Sequence, residues 1–301
     1  MRWVSSMCAV LTFAAVSYAA DAVQVPVWAP AGALISAGSL SASVDGTPSE
    51  ILGVHAPADD LMLLVVLDLT DDLAAVEQAR AALLTRVQSM APNHYIGVLS
   101  AQNGLRVLTE PTADRDVAAT AIRSQKVGGR AGLLETIEQA AQIGSAVISK
   151  SGVRLAVLYL TDSDVNNYRE GLNNPTINSS DSGDVSRRAD SLIRERVSRM
   201  VASLTKTQAP IFIAHLTYHT DSLNVAYQTG LISLAAATGG TTTVARSLSE
   251  IPTVVNNTVD HILGHYSVTV AVPGSSKKVD VSLANRAGGQ LDYRSNYTLE
   301  N

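Results

Sequence analysis

Met62-Leu-Leu-Val-Val-Leu-Asp68-Leu-Thr70-Asp71-Asp72 is the stretch whose reading decides the fold. Six apolar residues lead without a break into Asp68, the mark of a strand buried on both faces. The run is too short to span a membrane. Leu73, Val76, Leu83, Leu84 and Val87 then recur at helical spacing. Strand, acidic turn and helix make the opening unit of an α/β fold. In open parallel sheets ligands sit beyond the carboxyl ends of the strands, which is where Asp68, Thr70 and Asp72 stand. The same residues also suit a plain helix start, with Asp71 or Asp72 capping free amides.

Downstream, strand and helix alternate. Residues 96–100 and 105–108 read as strands around the turn Gln102-Asn103-Gly104, and 114–123 as a short helix. After Val127-Gly128-Gly129-Arg130-Ala131-Gly132 comes a helix with Leu133, Leu134, Ile137, Ala140, Ala141 and Ile143 on one face. Residues 154–160 form the next buried strand, ending Leu160-Thr161-Asp162-Ser163-Asp164. Residues 166–184 are rich in Asn, Ser, Asp and Gly and read as a long exposed loop. Helix 185–204, strand 210–216, helix 224–237 with Gly239-Gly240 as its stop, and a segment at 249–263 that closes the alternation complete the pattern. The simplest sheet has five parallel strands and one antiparallel edge, wound on both faces.

The flanks use a different grammar. Val23, Val25 and Val27 alternate; residues 40–44 enter an Asp45-Gly46 turn and 51–54 return. Residues 266–272 and 279–283 read as a hairpin across Pro273-Gly274-Ser275-Ser276, followed by 291–297. Two or three strands alone are marginal in water, so both ends are expected to join in one small accessory antiparallel sheet. The expected division is a signal peptide at 1–19, an N-terminal β segment at 21–61, an α/β domain at 62–264 and a C-terminal β segment at 265–301.

A net charge of −5 gives no footprint for nucleic acid, and no Lys/Arg run suits an anionic membrane surface. Aromatics make up 4% of the residues, so the core must be built of small aliphatics. Met1-Arg2, the mostly apolar 4–16 and Ser17-Tyr18-Ala19 fit a secretory signal cleaved after Ala19. The single cysteine, Cys8, lies inside it, which excludes disulfide and thiolate chemistry from the mature chain. No membrane span is expected once the signal is removed.

Two strands end on acids, at Asp68 and Asp162. If they are neighbours, Asp68, Thr70, Asp72 and Asp162 bring hard oxygens to one point, a set suited to Mg²⁺ or Ca²⁺ rather than zinc. Enzyme classes fit less well. A phosphatase using Asp68 as nucleophile wants a second Asp where Thr70 stands. A dinucleotide fingerprint and a Gly-x-Ser-x-Gly elbow are both absent. His215/His219 and His261/His265 are four apart but lack the Glu of a metalloprotease motif, and read as surface or core histidines.

In order along the chain, these features resemble the von Willebrand factor type A (VWA) domain, and more narrowly the bacterial secreted VWFA-related family. Val44-Asp45-Gly46 through Ile51 matches the β segment that precedes the domain. Asp68-Leu69-Thr70-Asp71-Asp72 stands at its Asp-x-Ser-x-Ser motif, and 129–136 at its Gly-Arg-Thr-Ala-Leu-Leu segment. Thr161-Asp162-Ser163, Leu234 through Gly240 and Tyr293-Arg294 with Tyr297 follow. The resemblance implies a doubly wound, Rossmann-like sheet and a metal-ion-dependent adhesion site formed by Asp68, Thr70, Asp72 and Asp162. Asp72 replaces a serine of the motif, and Ala131 stands where a threonine ligand belongs. Arg130 lies beside that gap, where its guanidinium can serve as a fixed cation in place of a metal. A metal site and a salt-bridged relic both remain open at this point.

The expected function is therefore a secreted or periplasmic, non-enzymatic protein that binds a protein partner at the carboxyl edge of its sheet. A hydrolase using Asp68 is the alternative. N-terminal sequencing of the mature protein from a secreting host should return Ala20, or a residue within one or two of it, with no titratable thiol.

Overall fold

The structure is a computed structural model that describes residues 22–165, 182–274 and 276–299. The expected signal peptide and most of the 166–184 loop lie outside the described residues. The organising strand is β5 (Leu61–Asp68), followed by α1 (Leu73–Ser89). Before β5 come β1 (Ala22–Trp28), β2 (Leu40–Val44), β3 (Thr47–Ser49) and β4 (Ile51–His55). After α1 come β6 (His94–Ser100), β7 (Arg106–Thr112), α2 (Arg115–Ser124), α3 (Leu133–Ser151), β8 (Arg154–Thr161) and α4 (Ser182–Leu204). They are followed by β9 (Ile211–His215), α5 (Ser222–Thr238), β10 (Thr242–Val244) and α6 (Ile251–Leu263). The last strands are β11 (Tyr266–Ala271), β12 (Lys278–Asn285), β13 (Asp292–Tyr293) and β14 (Asn296–Thr298).

Six strands form the central sheet in the order β10-β9-β8-β5-β6-β7, all parallel except the edge strand β7. That is the expected α/β sheet, although β10 was not legible: three residues of Thr-Thr-Val carry no periodicity. Alternate residues of β5 feed opposite cores. Leu63, Val65 and Leu67 pack with α1, α2 and α6, while Leu64 and Val66 pack with α3, α4 and α5. A strand covered on both faces has no use for polar residues, which is why its apolar run is continuous.

The flanking strands differ from expectation in one respect: they build two sheets, not one. Their orders are β13-β1-β11-β4 and β14-β12-β2-β3, and they close on a shared core that includes Val25, Leu40, Val44, Val268, Val281 and Tyr297. The expected hairpin of 266–272 with 279–283 does not form. β11 pairs with β1 and β4, whereas β12 pairs with β2 and β14. Likewise β2 turns into β3, and β4 crosses to the other sheet. Period-two alternation says which side chains face a core, and both inner faces of a sandwich satisfy it equally. The expectation that the two ends of the chain pair with each other does hold, through β4–β11 and β2–β12.

The sandwich is fastened beneath the amino ends of the central strands. Arg154, fully buried at the start of β8, donates to the carbonyls of Leu263 and His265 at 3.0 Å each, and to Pro57 at 2.7 Å and Asp59 at 3.2 Å. These carbonyls belong to the two crossings between sandwich and α/β unit. Burial pulls the guanidinium down to about 10, opposed by the charge of Asp59. Nearby, Trp28 stacks on His261 at 4.5 Å and donates to its carbonyl, and Gln24 donates to the carbonyls of Gly152 and Val153. Arg154→Leu should lower the unfolding free energy by ~3 kcal/mol or more, because it strands four carbonyls that a charged donor now serves. Chemical denaturation of the variant measures this; a loss under 1 kcal/mol would contradict the assignment.

Candidate functional site

β5 and β8 run in parallel register from Leu61 opposite Arg154 to Asp68 opposite Thr161, so Asp68 and Asp162 meet at the carboxyl edge. The Asp162 carboxylate folds the acidic loop around itself. Its Oδ1 accepts the N–H of Thr70 at 2.6 Å and the Thr70 hydroxyl at 3.0 Å. Its Oδ2 accepts the N–H groups of Asp71 and Asp72 at 2.9 Å each. A carboxylate offers about four lone-pair positions, so these donors saturate it.

Asp68 has no exposed surface. Its Oδ1 accepts the N–H of Gly132 at 2.8 Å; its Oδ2 accepts the N–H of Leu133 at 3.3 Å and the Thr161 hydroxyl at 3.1 Å. The two amides open α3, where the helix dipole favours a negative group. Burial nevertheless dominates and pushes Asp68 up to about 6, helped by the Asp162 charge and opposed by the bonds from Gly132 and Thr161.

Of the four expected residues, Asp68, Thr70 and Asp162 converge. Asp72 joins through its backbone; its carboxylate turns away to cap α1, accepting from Ala74 and Ala75 at 3.1 and 3.0 Å. Ala131 is buried in the core beneath α3. Arg130 is exposed and, among the described residues, forms no ion pair with either acid. The counter-charge inside the edge is a set of backbone amides, not a guanidinium. A divalent cation needs acceptor oxygens turned towards it, whereas here N–H groups point at the acids. Among the described residues, no group of three or more His, Cys, Asp or Glu is placed to hold a metal ion.

A second layer supports the acids, and no spacing in the sequence announces it. The Thr161 and Ser163 hydroxyls lie 2.6 Å apart, and Ser163 lies 2.9 Å from the Tyr227 hydroxyl of α5. His215 Nε2 donates to the Ser163 carbonyl at 2.8 Å, and burial lowers its pKa, so it is a neutral core histidine. Gln102 donates to the Leu69 carbonyl, which also accepts the N–H of Gly128 at 3.0 Å. Around this closed centre three large apolar side chains are exposed on the edge. Leu73 is 64% exposed, and Tyr218 and Leu248 are 44% exposed each. The Arg246 guanidinium sits 5.7 Å from the centroid of the Tyr218 ring.

No protein-family model and no curated protein sequence matches the chain. Similar chains are found among solved structures. The chain is similar to a von Willebrand factor type A protein from Catenulispora acidiphila at 11% identity and TM-score 0.47, covering 93% of this chain and 74% of that one. It is similar to the ArnB paralog VWA2 from Sulfolobus acidocaldarius at 12% identity and TM-score 0.43, covering 93% and 75%. It is also similar to the vWF domain of the type V pili tip protein Mfa5 from Porphyromonas gingivalis, at 11% identity and TM-score 0.45, covering 68% and 95%.

The buried carboxyl of Asp68 has a signature in pH. Its pKa is raised above the unfolded value of 3.8, so the stability it contributes is present below that value and is lost as pH rises through about 6. His94, His215, His261 and His265, all lowered by burial, act in the opposite sense, losing stability as pH falls below 6.5. The stability of the wild type minus that of Asp68→Asn should therefore fall by ~3 kcal/mol between acid and neutral pH. Denaturant unfolding of both proteins across that range reads the difference, and a flat difference would refute the raised pKa.

Proposed function

We propose that this protein is a secreted or periplasmic VWA-type binding protein, exported by its first 19 residues, that docks a protein partner on the carboxyl edge of the central sheet. The observation that carries the reading is the edge itself. Leu73, Tyr218 and Leu248 project from the segments after β5, β9 and β10, and Arg246 packs on the Tyr218 ring. The 3₁₀ turn Leu248–Glu250 packs against α1, which brings these segments together. Exposed aromatic and arginine side chains on a rigid base are the groups that dominate protein–protein binding energy.

The acids serve this edge as internal ties. Asp68 is closed to solvent with both oxygens engaged, so a substrate cannot reach it as a nucleophile. That argues for binding over hydrolysis. The loop 68–72 is held by hydrogen bonds and does not depend on Mg²⁺ or Ca²⁺. The competing account has Asp68, Thr70, Asp72 and Asp162 hold such an ion, with the Asp162 contacts rearranged around it.

Two measurements test the reading. Capture of a partner from the native envelope fraction should persist with chelator present and be lost in the double variant Leu73→Asp with Tyr218→Asp, whose folding circular dichroism checks. Thermal unfolding should not respond to Mg²⁺ or Ca²⁺. A bound cation at a hundredfold excess over its Kd would instead add ~2.7 kcal/mol, and micromolar binding by calorimetry would establish the metal site.

A further inference from the structure

The carboxyl edge is not uniform in charge. Residues 100–109 and 117–132 carry four cations, Arg106, Arg123, Lys126 and Arg130, and no acid; the adjoining loop, joined by the Gly128 N–H to the Leu69 carbonyl, adds the exposed Asp71. All four are exposed, and none forms an ion pair among the described residues. In a chain of net charge −5 this is a local reversal of sign. It lies at the β6–β7 end of the edge, opposite to Tyr218 and Arg246.

The fold holds these cations in a fixed arrangement. Asn103, at the tip of the β6–β7 turn, donates its N–H to the Arg130 carbonyl and accepts the Arg130 N–H on its side-chain oxygen, both at 3.0 Å. Gly129, at φ 96°, lies so close that a Cβ there would stand 2.5 Å from the Asn103 amide nitrogen. A Cβ on Gly132 would stand 1.8 Å from the Ala101 carbonyl oxygen. Only glycine permits both approaches. The Gln102 side chain donates to the Lys126 carbonyl at 3.3 Å, tying that residue to the same turn. Backbone clamps at Lys126 and Arg130 lower the ordering cost that a flexible cationic loop incurs on binding. Beside Arg106, Val107 is 58% exposed and adds apolar contact.

From this we infer that the β6–β7 end of the edge receives an acidic peptide segment of the protein partner, with Arg130, Lys126 and Arg106 as its cationic contacts. The inference rests on the docking reading above and gives it a chemistry. The screening length is about 8 Å at physiological ionic strength, so a segment lying here responds to these cations and not to the net charge. A long polyanion or an anionic bilayer extends past so small a patch and meets a chain that is acidic as a whole.

The test uses the full mature protein and a short fluorescein-labelled peptide of alternating Glu and Asp with a central Leu. Anisotropy should show saturable binding at about 50 mM salt that fades by about 0.3 M. Arg130→Glu should weaken it about tenfold or more, and Arg106→Gln with Lys126→Gln should lower both affinity and salt dependence. These side chains are exposed, so unfolding midpoints should stay at the wild-type value. A Lys-rich peptide of equal length, a heparin fragment and phosphatidylserine vesicles complete the set. Absence of peptide binding, binding that Arg130→Glu leaves intact, or tighter binding of heparin or vesicles would each overturn the inference. The two readings separate on the captured partner. If the Leu73 and Tyr218 variant loses it while Arg130→Glu keeps it, docking stands and the acidic contact falls. If neither variant loses it, both fall.

Discussion

Strand β8 carries a buried charge at one end and a nearly buried one just past the other, and each pole of the molecule is assembled around one of them. At its start the Arg154 guanidinium collects four carbonyls from the crossings into the sandwich. Just past its end the Asp162 carboxylate collects three backbone amides and a hydroxyl from the loop after β5. In a low-dielectric interior an unsatisfied charge is costly, while a fully hydrogen-bonded one is tolerated and fixes the groups around it. A cation suits exposed carbonyls and an anion suits exposed amides. The pairing of β5 with β8 therefore sets both the fastening of the sandwich and the shape of the edge.

The closed state of that edge limits its motion. A loop held by four donors on one carboxylate has little freedom, so the exposed side chains next to it are presented on a fixed base. Rigid presentation favours docking, because ordering cost is met on folding and not on association. It disfavours nucleophilic chemistry, which needs an accessible, unengaged oxygen. Asp68 sits in the same closed environment, and its raised pKa reports burial. A perturbed carboxyl at a strand end invites a catalytic reading. Burial explains it structurally, against the opposing bond from the Gly132 amide.

The sandwich shows how the two ends of one chain can stabilise each other. β1, whose inner residues are buried, lies between β11 and β13, and the ring of its last residue, Trp28, stacks on His261 of α6. The histidines beneath the sheet are held neutral by burial and, for His94 and His265, by the nearby Arg154 charge; His265 is pulled down to about 3. A cluster of uncharged rings beside one guanidinium, whose two terminal nitrogens are both hydrogen-bonded, makes a junction that is mostly apolar yet specific in register.

The sequence by itself determined the α/β class, the parallel strands β5, β6, β8 and β9 and their helices, because a strand buried on both faces and an amphipathic helix each leave a periodic trace. It also determined that Asp68, Thr70 and Asp162 would share the carboxyl edge, since two strands ending on acids can be adjacent in such a sheet. Tertiary structure alone decided how the flanking strands divide into two sheets, because alternation marks inner faces without naming partners. It decided that Asp72 caps α1 instead of facing Asp162, a choice between two acceptor roles that one carboxylate can fill equally well. It decided that Arg130 points to solvent, since a long side chain beside a gap is free to turn either way. Finally it drew Asn103 and Arg130, 27 residues apart, into one clamp, because Gly129 leaves room for the Asn103 side chain and Gly132 for the Ala101 carbonyl.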